Sequence, residues 1–158
     1  MNILEFAINM ENEGEKFYRE QAKINKDNRL SNIFTALADD EMRHARILGE
    51  VLVTGYSEIS DSGLPEKSGI FDKHFKDDIR QKPEQIDIYR EALKKEQESI
   101  DLYRSFLDKS DNLNDTELYG YLVEQEQLHF SIIEDIIYHL EKAESWVESA
   151  EFGVREDY

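Results

Sequence analysis

Two Glu-x-x-His motifs hold the side chains of this sequence that are best suited to bind a metal ion. The first motif places Glu41 and His44 in "LADDEMRHARIL", and the second places Glu126 and His129 in "LVEQEQLHFSII". Residues three apart lie on one face of an α-helix, so each motif directs a carboxylate oxygen and an imidazole nitrogen to the same region. Iron, manganese and zinc all accept these donors. A single such motif in an acidic chain, however, is more often part of a solvated helix face.

An internal repeat relates the two motifs. At an offset of 85 the two halves of the chain align without a gap, and the shift superimposes polar residues of the same type. The matched pairs are Glu11 with Glu96, Tyr18 with Tyr103, Glu41 with Glu126, and His44 with His129. Such a pattern is hard to obtain from solvated helix faces, and the repeat therefore favours a duplicated metal site.

Long helices are the elements that must position these residues. Apolar residues recur at spacings of three and four, and the chain has only seven glycines and two prolines. The predicted helices cover residues 2–25, 28–54, 83–109 and 113–143. They form two pairs, residues 2–54 and 83–143, which a long crossover over residues 55–82 connects. The sequence thus predicts a single all-α domain over residues 1–158, a four-helix bundle of two pseudo-twofold-related pairs with a C-terminal tail over residues 144–158.

Each predicted helix carries one of the glutamates on an otherwise apolar stripe. Four carboxylates in a bundle core would repel one another and lose their hydration, and two divalent cations would neutralise that charge. One glutamate from each of two helices, with Glu-x-x-His from each of the other two, is the ligand set of bundles that hold two iron or manganese ions. Zinc would also fit these donors. The predicted metal ligands are Glu11, Glu41, His44, Glu96, Glu126 and His129.

Residues near the predicted ligands have two interpretations each. Tyr18 and Tyr103 lie two turns after a ligand, where each hydroxyl would bond a ligand carboxylate of a neighbouring helix. Ordinary core tyrosines are the alternative. Gly14 and Ser99 lie one turn after a ligand and match under the repeat. They would leave space for an oxygen species, or would only allow two helices to cross closely.

Composition excludes several classes of partner and site. The net charge is −17 and the pI about 4.6, so nucleic acids and anionic membranes would be repelled. The chain has no cysteine, which excludes disulfides, thiolate zinc sites and cysteine-ligated iron–sulfur clusters. The N-terminal segment has acids where a secretory signal needs bases, and no apolar run approaches membrane-spanning length. We therefore expect a cytoplasmic protein.

Four segments carry a resemblance to a known family. "AINMENEGEKFY", "LADDEMRHARIL", "ALKKEQESIDLY" and "LVEQEQLHFSII" resemble the four helices of the rubrerythrin-like branch of the ferritin-like superfamily, over essentially residues 3–143. The resemblance implies a ferritin-like bundle with a non-haem di-iron centre, a homodimer, and reduction of peroxide or dioxygen. It also implies that Glu11 and Glu96 are terminal ligands, that Glu41 and Glu126 are bridging ligands, and that His44 and His129 each bind one iron.

Two departures from the family pattern bear on activity. Full-length rubrerythrins carry a cysteine-ligated iron site that relays electrons, and this chain has no cysteine, so electrons would come from an external donor protein or small molecule. Peroxidase-type rubrerythrins also have a carboxylate where this sequence has Ser99. Iron binding or storage without turnover therefore stays open beside an oxidoreductase, as does a non-catalytic, acidic helical interaction protein.

Overall fold

Four helices make up the part of the chain that the structure describes. The computed structural model describes residues 2–59 and 85–152, with side chains as far as residue 142. The helices are α1 (Ile3–Ile24), α2 (Leu30–Thr54), α3 (Ile86–Lys109) and α4 (Leu113–Phe152). α1 packs along α2 and α3 packs along α4, which confirms the predicted all-α four-helix bundle. Within the described ranges, no helix combines the length and the apolar character that a membrane crossing requires.

Local sequence sets the ends of the first helix pair. Asn2 begins α1 with a capping box, in which its Oδ1 accepts a hydrogen bond from the Glu5 amide (2.8 Å) and Glu5 Oε2 accepts one from the Asn2 amide (3.2 Å). α2 begins at Leu30 rather than at the predicted residue 28, because Asn28 Oδ1 accepts a hydrogen bond from the Leu30 amide (2.9 Å) and caps a turn. After α2, Gly55 takes a φ of 78°, a left-handed conformation that favours glycine.

The last helix runs farther than predicted. We expected it to end at residue 143 and to be followed by a tail, but α4 continues to Phe152. No glycine or proline lies between Gly120 and Gly153, so no residue in this stretch breaks the helix. The crossover beyond residue 59 and the predicted helix start at Pro83 lie outside the described residues.

Two apolar clusters enclose a layer of buried polar residues. One cluster includes Phe34 and Ile133, and the other includes Ile47 and Leu122. On each helix, the predicted ligands lie between a residue of one cluster and a residue of the other. Burial of apolar side chains on both sides therefore carries the polar layer into the centre of the bundle, away from water.

Candidate metal centre

The structure brings the six predicted metal ligands together in the polar layer. Glu11, Glu41, His44 and Glu126 each offer one ligand atom, and these atoms all lie within 4.8 Å of one another. Glu41, Glu96, Glu126 and His129 form a second group with the same property. Every one of the six residues is at most 5% exposed. Because Glu41 and Glu126 belong to both groups, the geometry is that of two adjacent sites with two shared carboxylates.

Apolar neighbours on the same helix face carry the polar side chains inward. On α2, Leu37 lies one turn before Glu41 and Leu48 lies one turn after His44, and both leucines are fully buried. On α4, the buried Leu122 and Ile133 flank the second motif in the same way. Packing of these residues in the core therefore also buries the acid and the imidazole between them.

The Nδ1 atom of each histidine faces the carboxylates. His44 Nδ1 lies 3.1 Å from Glu126 Oε1 and 3.5 Å from Glu11 Oε2. His129 Nδ1 lies 2.8 Å from Glu41 Oε1. Nδ1 is therefore the nitrogen that each imidazole would offer to a metal ion.

The Nε2 atom of each histidine contacts a polar residue on the outer side of the cluster. His129 Nε2 lies 2.9 Å from Asp40 Oδ2, and His44 Nε2 lies 3.3 Å from Gln125 Oε1. Both partners are acceptors, so each Nε2 donates its hydrogen, and each Nδ1 would ligate a metal ion once it has lost its own proton. A bond of this kind fixes the ring orientation and the tautomer of a histidine ligand.

One guanidinium group joins these two outer partners. Arg43 Nη1 lies 2.8 Å from Asp40 Oδ1, and Arg43 Nη2 donates to Gln125 Oε1 at 3.0 Å. Arg43 Nε also donates to the hydroxyl of Tyr121 at 3.4 Å. The guanidinium has only hydrogen-bond donors, so it pairs with the side-chain oxygen of Gln125 and not with its NH2 group. The same oxygen atom therefore faces His44 Nε2.

The sequence did not predict this outer layer of three residues, Asp40, Arg43 and Gln125. A signal for two of them was present: Asp40 directly precedes Glu41, Gln125 directly precedes Glu126, and the offset of 85 superimposes the two positions. No spacing rule pointed to Arg43, whose contacts with Gln125 and Tyr121 join α2 to α4.

Two tyrosines hold the glutamates that are not shared between the sites. The hydroxyl of Tyr18 on α1 donates to Glu96 Oε1 on α3, and the hydroxyl of Tyr103 on α3 donates to Glu11 Oε1 on α1. Burial and the nearby carboxylates raise the pKa of both tyrosines well above the ordinary value. The hydroxyls therefore stay protonated and act as fixed donors.

Without a metal ion, protons bound to the side chains of the cluster balance the negative charge of its carboxylates. Burial and the charge of Glu11 raise the pKa of Glu41 and of Glu126 well above the usual range for a carboxyl. Burial alone would lower the pKa of His44, but its contacts with Glu11 raise it to about 10. For Glu11, burial is outweighed by a hydrogen bond with Glu41 and by the charge of His44, so its pKa falls to about 2. Cations that replace these protons would bind more tightly as the pH rises.

Unpaired buried atoms of the cluster fit a pair of divalent cations. Among the described residues, Glu11 Oε2, Glu41 Oε1, Glu96 Oε2 and Glu126 Oε2 are buried and make no well-aligned hydrogen bond, although His129 Nδ1 lies 2.8 Å from Glu41 Oε1. A buried acceptor left in this way costs about 1–3 kcal/mol, and more when it is charged. Four carboxylates would balance the charge of two divalent ions, and carboxylate with imidazole suits iron or manganese. The residues therefore fit a di-metal centre.

Comparison with known proteins agrees with this geometry. The family model described as Rubrerythrin matches residues 2–137, a span that contains all four helices' ligand positions. No curated protein and no solved structure matches the chain. Since the matched span covers most of the sequence and contains the buried carboxylate and histidine cluster, the chain belongs to the rubrerythrin family.

Proposed function

We propose that this protein is a di-iron oxidoreductase that reduces peroxide or dioxygen with electrons from an external donor. The observation that carries the proposal is the pair of adjacent buried sites with two shared carboxylates. Glu11 and His44 would hold one ion, Glu96 and His129 the other, and Glu41 and Glu126 would bridge both. When bound, the iron pair would supply two electrons to the oxidant and a coordination position at which the oxidant binds.

The surrounding residues support this role by holding the ligands in place. Tyr18 and Tyr103 fix the two terminal glutamates, while Asp40 and Gln125 orient the imidazoles. The apolar clusters on both sides exclude water, which strengthens every electrostatic interaction inside the site. Manganese would fit the same donors, whereas zinc has no redox chemistry and would leave only metal binding.

The electron donor in this proposal is a separate protein, because the sequence has no cysteine to hold an iron relay. Peroxidase-type relatives carry a carboxylate at the position that Ser99 occupies in this chain. The proposal therefore includes dioxygen as well as peroxide as the oxidant. We further propose that the protein is a homodimer, which light scattering would test directly.

Oxidation of bound iron tests the proposal. Chelated protein is loaded with Fe(II) without oxygen and mixed with hydrogen peroxide, and the absorbance of the product is followed. We expect about two iron ions per chain and oxidation at least about tenfold faster than that of free Fe(II). Glu96→Gln should abolish the acceleration, whereas Glu98→Gln, on the same helix but half exposed, should keep it.

Two results would argue against the proposal. Oxidation no faster than that of free Fe(II), with hydrogen peroxide and equally with dioxygen, would exclude the oxidoreductase. Rapid oxidation of bound iron that is never followed by turnover, even with a chemical reductant present, would instead favour iron binding or storage.

A further inference from the structure

A cleft between α1 and α3 leads from the surface to the candidate metal centre. Its volume is about 260 Å³, and its walls include Met10 and Phe17 from α1 and Ala92 from α3. Glu41 and Glu96, two of the predicted ligands, line the same cleft. Glu96 Oε2 is buried without a hydrogen-bond partner, and Glu41 Oε1 lies 2.8 Å from His129 Nδ1. The cleft is thus a largely apolar space, also lined by Glu13, Glu91 and Lys95, that ends at two buried carboxylates.

The internal repeat predicts a second opening on the other side of the pseudo-twofold, and the structure differs there. Under the offset of 85, Phe17 corresponds to Leu102 and Glu91 to Phe6. Leu102 and Phe6 do line a groove, but the lining of that groove contains neither Glu11 nor Glu126. Of these two related openings, the one at Phe17 reaches the carboxylates.

The two openings differ at Gly14 and at Ser99, its counterpart in the repeat. A Cβ atom at Gly14 would lie 2.8 Å from Glu41 Oε2, so the absent side chain allows the Glu41 carboxylate to lie against α1 at the inner end of the cleft. The repeat-related residue is Ser99, whose Oγ lies 3.1 Å from the Lys95 carbonyl and 3.4 Å from Met10 Sδ. Of the two repeat-related openings among the described residues, the one beside Gly14 therefore gives access to the centre.

We propose that this cleft binds the organic part of a small, uncharged organic hydroperoxide, with its OOH group at Glu41 and Glu96; this inference rests on the proposed function. An engineered cavity of about 150 Å³ holds a benzene molecule, whereas a water molecule takes about 30 Å³. A cleft of about 260 Å³ is thus far larger than hydrogen peroxide requires. Most of the surface that lines the cleft is apolar and suits an alkyl group better than a small polar molecule, and the net charge of −17 disfavours anions.

The reaction balances with the reductant already named. The O–O bond of the hydroperoxide ROOH breaks, and two electrons with two protons convert it to the alcohol ROH and one water. A metal pair held by the predicted ligands would supply the two electrons, and the external donor protein would replace them. The alkyl group is not oxidised.

Binding of the product alcohol tests the cleft without any metal. Ligand-detected NMR measures the binding of tert-butanol to chelated protein. We expect binding to the unaltered chain and its loss in Ala92→Leu, which would fill the cleft. Lys94→Leu, an exposed substitution on the same helix, serves as the control and should bind normally. Equal binding by Ala92→Leu and the unaltered chain, or no binding by either, would overturn the inference.

Peroxide selectivity provides a second measurement. With Fe(II) bound, Ala92→Leu should lower the rate with tert-butyl hydroperoxide at least about tenfold relative to the rate with hydrogen peroxide. If Ala92→Leu does not fold, Met10→Phe on the facing wall replaces it. Unchanged selectivity, with hydrogen peroxide still active, refutes the cleft assignment but leaves the proposed function intact. If neither the two peroxides nor dioxygen oxidises the iron, the proposed function fails, and tert-butanol binding alone decides whether the cleft binds organic molecules.

Discussion

The two halves of the candidate centre have matching ligands but different outer partners. In the first half-site, Glu11 and His44, the imidazole Nε2 contacts the neutral amide of Gln125 at 3.3 Å. In the second half-site, Glu96 and His129, Nε2 contacts the carboxylate of Asp40 at 2.9 Å. A carboxylate partner makes an imidazole more basic and a stronger ligand than an amide does. The repeat thus duplicates the donors, while residues one position away make the two metal positions unequal.

Arg43 connects the two half-sites through these unequal partners. Its guanidinium contacts both Asp40 and Gln125, so one side chain on α2 supports the outer contacts of both histidines. The counterpart of Arg43 in the repeat is Leu128, which cannot make such contacts. The difference between the half-sites therefore arises in the residues around the ligands. Substitutions of residues that both half-sites share can be compared with substitutions of residues that belong to one half-site.

The largest effect should come from a residue that both half-sites share. Glu126→Gln removes a charge from both sites at once, so we expect the affinity for both ions to fall by more than about 100-fold. Glu96→Gln should weaken mainly the second half-site. Elemental analysis after dialysis measures the ions per chain, and Glu124→Gln, an exposed residue two positions away, is the control. Retention of both ions by Glu126→Gln would contradict the shared arrangement.

Exchange of the outer carboxylate should act on one half-site. Asp40→Asn removes the charge beside His129, and we expect one of two Co(II) binding steps to weaken by about 10–100-fold, as is typical for such partners. Gln125→Glu should strengthen the other step, because it gives His44 a carboxylate as well. Asp39→Asn is the matched control, since Asp39 is 56% exposed and pairs with Arg19 at the surface. Equal weakening of both steps by Asp40→Asn would show that the half-sites are not independent.

A single methyl group at Gly14 should distinguish it from the other helical glycines. Gly14→Ala places a Cβ against Glu41 Oε2, and we expect it to destabilise the protein by about 1–3 kcal/mol through overpacking. Gly49→Ala and Gly120→Ala meet no atom within 4 Å and should instead stabilise their helices by about 0.5–1 kcal/mol. Urea unfolding of the three variants measures these differences. Stabilisation by all three substitutions would mean that Glu41 does not lie against α1.

The smallest predicted effect concerns the pH dependence of the metal-free protein. The pKa of His44 is raised from 6.5 to about 10, so its contribution to stability is complete below pH 6.5 and is lost as the pH rises through about 10. The raised pKa values of Glu41 and Glu126 act in the same direction, because the folded state holds protons that the unfolded state releases. The lowered pKa of Glu11 acts oppositely, with stability lost as the pH falls from 4.5 through about 2.

Urea unfolding of chelated protein therefore should show a loss of at least about 1 kcal/mol between pH values of about 6 and 9. Protein loaded with metal should not show this loss, because the cations have replaced the protons. Equal stability of the chelated protein at both pH values would mean that the buried histidine and glutamates are not held in these protonation states.

Most of the fold was predictable because helices depend on local spacing. The recurrence of apolar residues at three and four positions predicted four helices, and the structure confirms the bundle. The end of α4 was predicted wrongly, since we placed it at residue 143 although no helix-breaking residue occurs before Gly153. The start of α2 was missed by two positions, because the side chain of Asn28 decides it.

Sequence by itself determined which residues of this protein share a helix face, and hence that four glutamates and two histidines would meet inside a bundle. For Tyr18 and Tyr103 the repeat only favoured a bond to a ligand carboxylate over an ordinary position in the core. Only the tertiary structure decided which partners orient the histidines, that Arg43 joins these partners, and that a cleft beside Gly14 reaches the centre. The physical reason is that a helix fixes the relations between residues three and four apart. Contacts between residues some eighty or ninety positions apart, by contrast, depend on how the helices pack.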